Sequence, residues 1–91
     1  MSETTSDQNE IERLDKAVDE FAGEMKKRLH QKAHEGYRGW DGAYSSHALI
    51  REVDAAATVL LTGSFAETYS PPKKTCVDTA NRLMFLFHRG R

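Results

Sequence analysis

A single cysteine, Cys76, stands in a chain of 91 residues. No internal disulfide can form, which fits a reducing compartment, so a cytoplasmic location is expected. No apolar run approaches the ~18 residues that a membrane-spanning helix needs. A membrane is therefore not expected among the partners. Met1 to Gln8 are polar and acidic and do not form a secretory signal. The two prolines are adjacent, Pro71-Pro72, so a helix is barred at one place only. Alternation with period two, internal repeats and low-complexity tracts are all absent. Strand, repeat and linker architectures are thereby excluded.

Charge of one sign is also lacking overall, at −1, yet the distribution is uneven. Residues 1–25 carry eight acids and two bases, whereas residues 26–91 carry eleven bases and six acids. Opposed blocks of this kind either attract one another or face solvent. At 38% hydrophobic and 30% charged residues, the composition is that of one small globular domain with a thin core. Residues 1–8 read as a disordered acidic tail and residues 9–91 as a single helical domain.

Three helices follow from the apolar periodicity. Ile11, Leu14, Val18, Phe21, Met25 and Leu29 recur at spacings of three and four, close to a heptad. This first helix starts near Thr5 or Ser6, where Thr5-x-x-Gln8 has capping-box form, and Gly36 ends it. Acids in its first half and Lys26, Lys27, Arg28 and Lys32 in its second match the helix dipole. So long a helix outruns its internal partners, and a homodimer through helix packing is expected. Ser45 or Ser46 caps a second helix carrying Leu49, Ile50, Val53, Ala56, Ala57, Leu60 and Leu61, which Gly63 terminates. Phe65 and Tyr69 are expected to anchor the following segment. Thr75 caps a third helix with Val77, Ala80, Met84 and Phe87 inward and Leu83, Phe85 and Leu86 widening that face. The fold class is all-α, a small three-helix domain with a long N-terminal helix.

Several groups could carry chemistry. Tyr37 and Trp40 beside Arg38 suit a nucleotide, the rings stacking on a base while Arg38 meets phosphate; Trp40 could equally close the end of a small core. Asp78 and Asn81 lie three apart on one helical face, and antiparallel packing of the second and third helices would bring Glu52 towards them. Those oxygens form a candidate magnesium site, since magnesium takes one or two protein carboxylates and completes its shell with water and phosphate. In the bland alternative Asp78 supports the helix start, Asn81 bonds across the core and Glu52 is solvated. His30 and His34 have zinc-compatible spacing but no third ligand nearby. Cys76 in a helical first turn has no convincing base to make it a nucleophile. The basic run around Lys26 carries no groove-reading motif, so nucleic acid is not expected as the main partner.

Gly36-Tyr37-Arg38-Gly39-Trp40-Asp41, then a helix, then Val77-Asp78-x-Ala80-Asn81-x-x-Met84 and His88-Arg89-Gly90, resembles a group of short phage and bacterial proteins. These are loosely similar to the MazG-like all-α nucleotide pyrophosphohydrolases. The resemblance implies magnesium held by a Glu-x-x-Glu pair on one helix and a Glu-x-x-Asp pair on the next. Here Glu52 is followed at that offset by Ala55, and the second pair can be read only as Asp78 with Asn81. The first expectation is therefore a non-catalytic interaction protein of phage or prophage type. It would bind a host or phage protein and hold a nucleotide through Tyr37, Arg38, Trp40 and Lys32, with no catalytic residue and no cofactor assigned. The alternative is a magnesium-dependent nucleoside triphosphate pyrophosphohydrolase. In it Glu52 and Asp78 bind Mg2+, Asn81 orients, and Arg38 or Lys32 meets phosphate.

Overall fold

The computed structural model describes residues 2–42 and 44–90, and side chains from Ser6 onward. Helix α1 spans Ser2–His34, α2 Ser46–Gly63 and α3 Lys73–Phe87, and no strand occurs among the described residues. The all-α class expected from periodicity is the observed one.

α1 runs unbroken from Ser2, upstream of the expected start, so residues 2–8 extend the helix. Nothing in that stretch breaks a helix, and Gln8 to Glu12 and Arg13 to Glu10 make contacts at helical spacing. The proposed Thr5 cap falls outside the described side chains. The end of α1 follows from glycine. Gly36 has φ 95°, its N–H donates to the Ala33 carbonyl, and the Tyr37 N–H donates to the Lys32 carbonyl. This is the Schellman arrangement, which needs a residue in the left-handed region.

At the start of α2, Ser45 is the cap, its Oγ accepting from the Ala48 N–H at 3.0 Å. The inward face of α2 is Leu49, Val53, Ala56 and Leu60, whereas Ile50 and Leu61 are exposed. α2 ends at Gly63 for a packing reason. A Cβ there would lie 2.4 Å from the Tyr69 ring, so the glycine makes room for that ring. Tyr69 anchors the connection as expected, but Phe65 does not, being 82% exposed.

Two expectations for α3 need correction. Its cap is Pro72 rather than Thr75, because Pro72 is held extended (φ −63°, ψ 125°) and the helix starts immediately after it. Thr75 lies within the first turn. Phe87 and Leu83, assigned to the inner face and its margin, are exposed, while Phe85 turns inward against Trp40.

α1 and α2 each pack on α3 and not on one another. Contacts from Arg28 to Asp78 and from Met25 to Asn81 run α3 antiparallel to α1. Those from Glu52 to Arg82 and from Ser46 to Arg89 do the same for α2. The core is thin: among the described residues only Leu49 and Asn81 are buried. The consequence is an open wedge between α1 and α2, floored by α3.

Candidate functional site

That wedge holds a pocket of about 700 Å3, within the range of small-molecule sites. Three stretches far apart in sequence line it. The last turns of α1 and the loop after it supply Arg28, Lys32, Tyr37, Arg38 and Trp40; α2 supplies Leu49 and Glu52; α3 supplies Asp78, Asn81, Arg82 and Phe85. The residues read from the sequence as nucleotide or magnesium ligands, Lys32, Tyr37, Arg38, Trp40, Glu52, Asp78 and Asn81, all line this one space, whereas His34 and Cys76 do not.

Its wall is richer in cations than in anions. Arg28, Lys32, Arg38 and Arg82 stand against Glu52 and Asp78. Arg28 Nε donates to Asp78 Oδ1 at 3.1 Å, with both side chains largely covered, and Arg82 Nε donates to Glu52 Oε2 at 2.8 Å nearer the surface. Each carboxylate therefore already holds a guanidinium. Lys32 Nζ sits 4.3 Å from the centroid of the Tyr37 ring, a cation–π contact. Arg38 Nη1 donates to the carbonyls of Ala33 and Tyr37, tying the loop to the end of α1.

Trp40 lies 5.6 Å from the Phe85 ring and meets His88 edge-on at 6.0 Å, yet remains 44% exposed. It is a wall of the pocket as well as a lid on α3. Arg89 holds it there, donating through Nη2 to the Trp40 carbonyl at 2.7 Å and through Nη1 to the Tyr44 carbonyl and Ser46 Oγ. Gly39, at φ 87°, lets the chain turn before Trp40.

Among the described residues Asn81 is the one buried polar side chain, 4% exposed. Its Nδ2 donates to the Met25 carbonyl at 3.3 Å, while its buried Oδ1 has no partner. That oxygen is itself covered, so it would need a small shift of the side chain to meet a ligand in the pocket. Glu52, Asp78 and Asn81 Oδ1 are oxygen donors of the kind magnesium takes, though coordination by the carboxylates would compete with Arg28 and Arg82. No group of three or more His, Cys, Asp and Glu side chains positioned for a metal occurs among the described residues. His30 borders the pocket, and Cys76 lines a separate shallow hollow beside Tyr69.

No family model, curated protein or solved structure matches this chain.

Sequence reasoning did not single out Arg28, Arg82 or Arg89 for the site. Arg28 was legible in principle. It occupies the next inward slot after Met25 on the α1 stripe, where an arginine needs a buried-side partner. Arg82 follows Asn81 and lies one turn beyond Asp78, a weaker signal. Nothing local marks Arg89, whose partners lie 43 to 49 residues away.

Proposed function

We propose that this chain is a small helical interaction protein whose pocket holds a nucleotide. One observation carries the reading: cations and aromatic rings from three separate segments converge on a single cavity. Lys32 and Arg38 offer charge for phosphate beside Arg28 and Arg82, which are ion-paired to Asp78 and Glu52, and Trp40, with Tyr37 and Phe85, offers flat apolar surface for a base. Such a site recognises an anion attached to a planar ring rather than an anion alone. The phage or prophage type rests on the sequence resemblance alone. A protein partner is proposed from the opposed charge blocks of the sequence, acidic over residues 1–25 and basic over residues 26–91.

Trp40 is the only tryptophan, so its fluorescence reports the pocket directly. Titration with ribo- and deoxynucleoside triphosphates is expected to quench it saturably, and Arg38→Ala with Lys32→Ala to weaken binding. Ribose or inorganic phosphate alone should do little. Saturating nucleotide with no change in fluorescence, and none by calorimetry, would sink the reading.

The second reading, a magnesium-dependent nucleotide pyrophosphohydrolase, is favoured by Glu52, Asp78 and Asn81 lining that pocket together. Magnesium bound there would polarise phosphate and activate water. Glu52 and Asp78 would hold it, Asn81 would orient it, and Arg38 or Lys32 would grip phosphate. Pyrophosphate release with magnesium or manganese, lost in Asp78→Asn with helicity retained, would establish turnover. Binding without release retires it.

A further inference from the structure

α1 carries one apolar stripe but covers only half of it. Met25 and Leu29 are half-buried against the rest of the domain, whereas Ile11, Leu14 and Val18 are 50%, 55% and 64% exposed and Phe21 is 41% exposed. The spacing of the exposed part is that of a coiled-coil seam. The molecule is correspondingly extended, 52 × 32 × 28 Å. A compact monomer of this mass, 10.3 kDa, exposes about 5,400 Å2 by the usual scaling. This chain exposes 7574 Å2, an excess of about 2,200 Å2. A standard interface covers about 800 Å2 per partner, so the excess leaves ample surface for a second copy, which would cover about a third of it.

Charge decides how the copies lie. Residues 7–24 contain seven acids and two bases, and residues 26–38 contain five bases and one acid. Parallel pairing sets the acidic half against itself. Antiparallel pairing about an axis near Phe21 sets it against the basic half of the partner, along the flank of exposed Lys26 that α3 leaves open. At 100° per residue, Asp15, Asp19 and Lys26 share one flank of the stripe, so Lys26 of each copy meets Asp15 and Asp19 of the other. We infer that the uncovered half of α1 is the seat of a second copy of this chain, paired antiparallel with its axis near Phe21. This inference is independent of what the pocket binds.

Sedimentation equilibrium of the full chain is expected to return twice the chain mass. Val18→Glu should weaken association by at least about a hundredfold, because it buries a carboxylate in the seam. In a Cys76→Ala background, Phe21→Cys should be joined efficiently to its counterpart by a short bis-maleimide. Ile11→Cys should not, since its counterpart lies about 30 Å away in the antiparallel pair. A monomeric mass at all concentrations overturns the inference, as does crosslinking through Ile11→Cys. A Val18→Glu variant that stays dimeric overturns the assigned surface. If that variant fails to fold, the two cysteine variants still decide the matter.

Discussion

Arg89 offers the sharpest test of how the pocket is held. Its guanidinium accounts for three bonds to the 40–46 segment, reaching the carbonyls of Trp40 and Tyr44 and Ser46 Oγ. A hydrogen bond to a charged group contributes about 1.5–3 kcal/mol net. The acceptors stand at the surface, so water recovers much of that when the arginine is removed, and we predict a loss of about 2 kcal/mol for Arg89→Ala. A shift of 1 kcal/mol moves the melting point by about 4–8 °C in a domain of this size. The expected fall in Tm is therefore roughly 8–16 °C by circular dichroism. The same substitution should free Trp40 from Phe85 and His88, moving its emission to longer wavelength before any helix is lost. Arg89→Lys keeps the charge but cannot span three acceptors, so it should recover only part of the effect. Unchanged Trp40 emission in Arg89→Ala, with a Tm within a degree or two of the parent, would refute the proposition that this residue positions the pocket wall.

Two further substitutions probe the packing. Gly63→Ala places a Cβ where the Tyr69 ring now lies, 2.4 Å from its nearest carbon, and should cost about 1–3 kcal/mol in urea unfolding; the cost should largely vanish when Tyr69 is also Ala, and persistence would locate the strain elsewhere. Asn81→Ala removes the bond to the Met25 carbonyl, which keeps its helical donor within α1, and should cost about 0.5–1.5 kcal/mol; equal stability of Asn81→Ala and the parent in chemical unfolding would show that this bond does not hold α1 to α3.

Much of the fold could be read from the sequence because local signals agreed with one another. The 3.6-residue periodicity, the Ser45 cap and the Gly36 stop each produced the element expected of them. Where reading failed, a competing signal or a longer-range contact prevailed. Thr75 has cap chemistry, but Pro72 starts the helix first. Phe87 fits the apolar period of α3, yet in a domain this small neither α1 nor α2 covers that side. Gly63 ends α2 as expected, but the reason is the Tyr69 ring, which no local pattern reveals. For the site, residue types named the candidates, and packing on α3 brought them to one pocket. The ion pairs that occupy Glu52 and Asp78 depend on helix register and could not be read from spacing.

The pocket and the fold are made of the same contacts. Arg28 with Asp78 and Asn81 with the Met25 carbonyl join α1 to α3, Arg82 with Glu52 joins α2 to α3, and all six residues lie in or next to the pocket wall. Because α1 and α2 do not pack on one another, a ligand spanning the wedge would supply the missing contact between them. Binding confined to the folded state raises stability by about 2.7 kcal/mol at a ligand concentration of 100 Kd. For a domain of this size that is roughly 10–20 °C in Tm. We predict a shift of that size with nucleoside triphosphate, read by thermal melting at fixed protein concentration, since association of the chain would add its own dependence. The shift should shrink in Arg28→Ala, which weakens both the α1–α3 joint and the anion-binding wall. A ligand that quenches Trp40 while leaving Tm unmoved would mean that it binds the unfolded chain as well as the folded one, and the link between site and fold would fail.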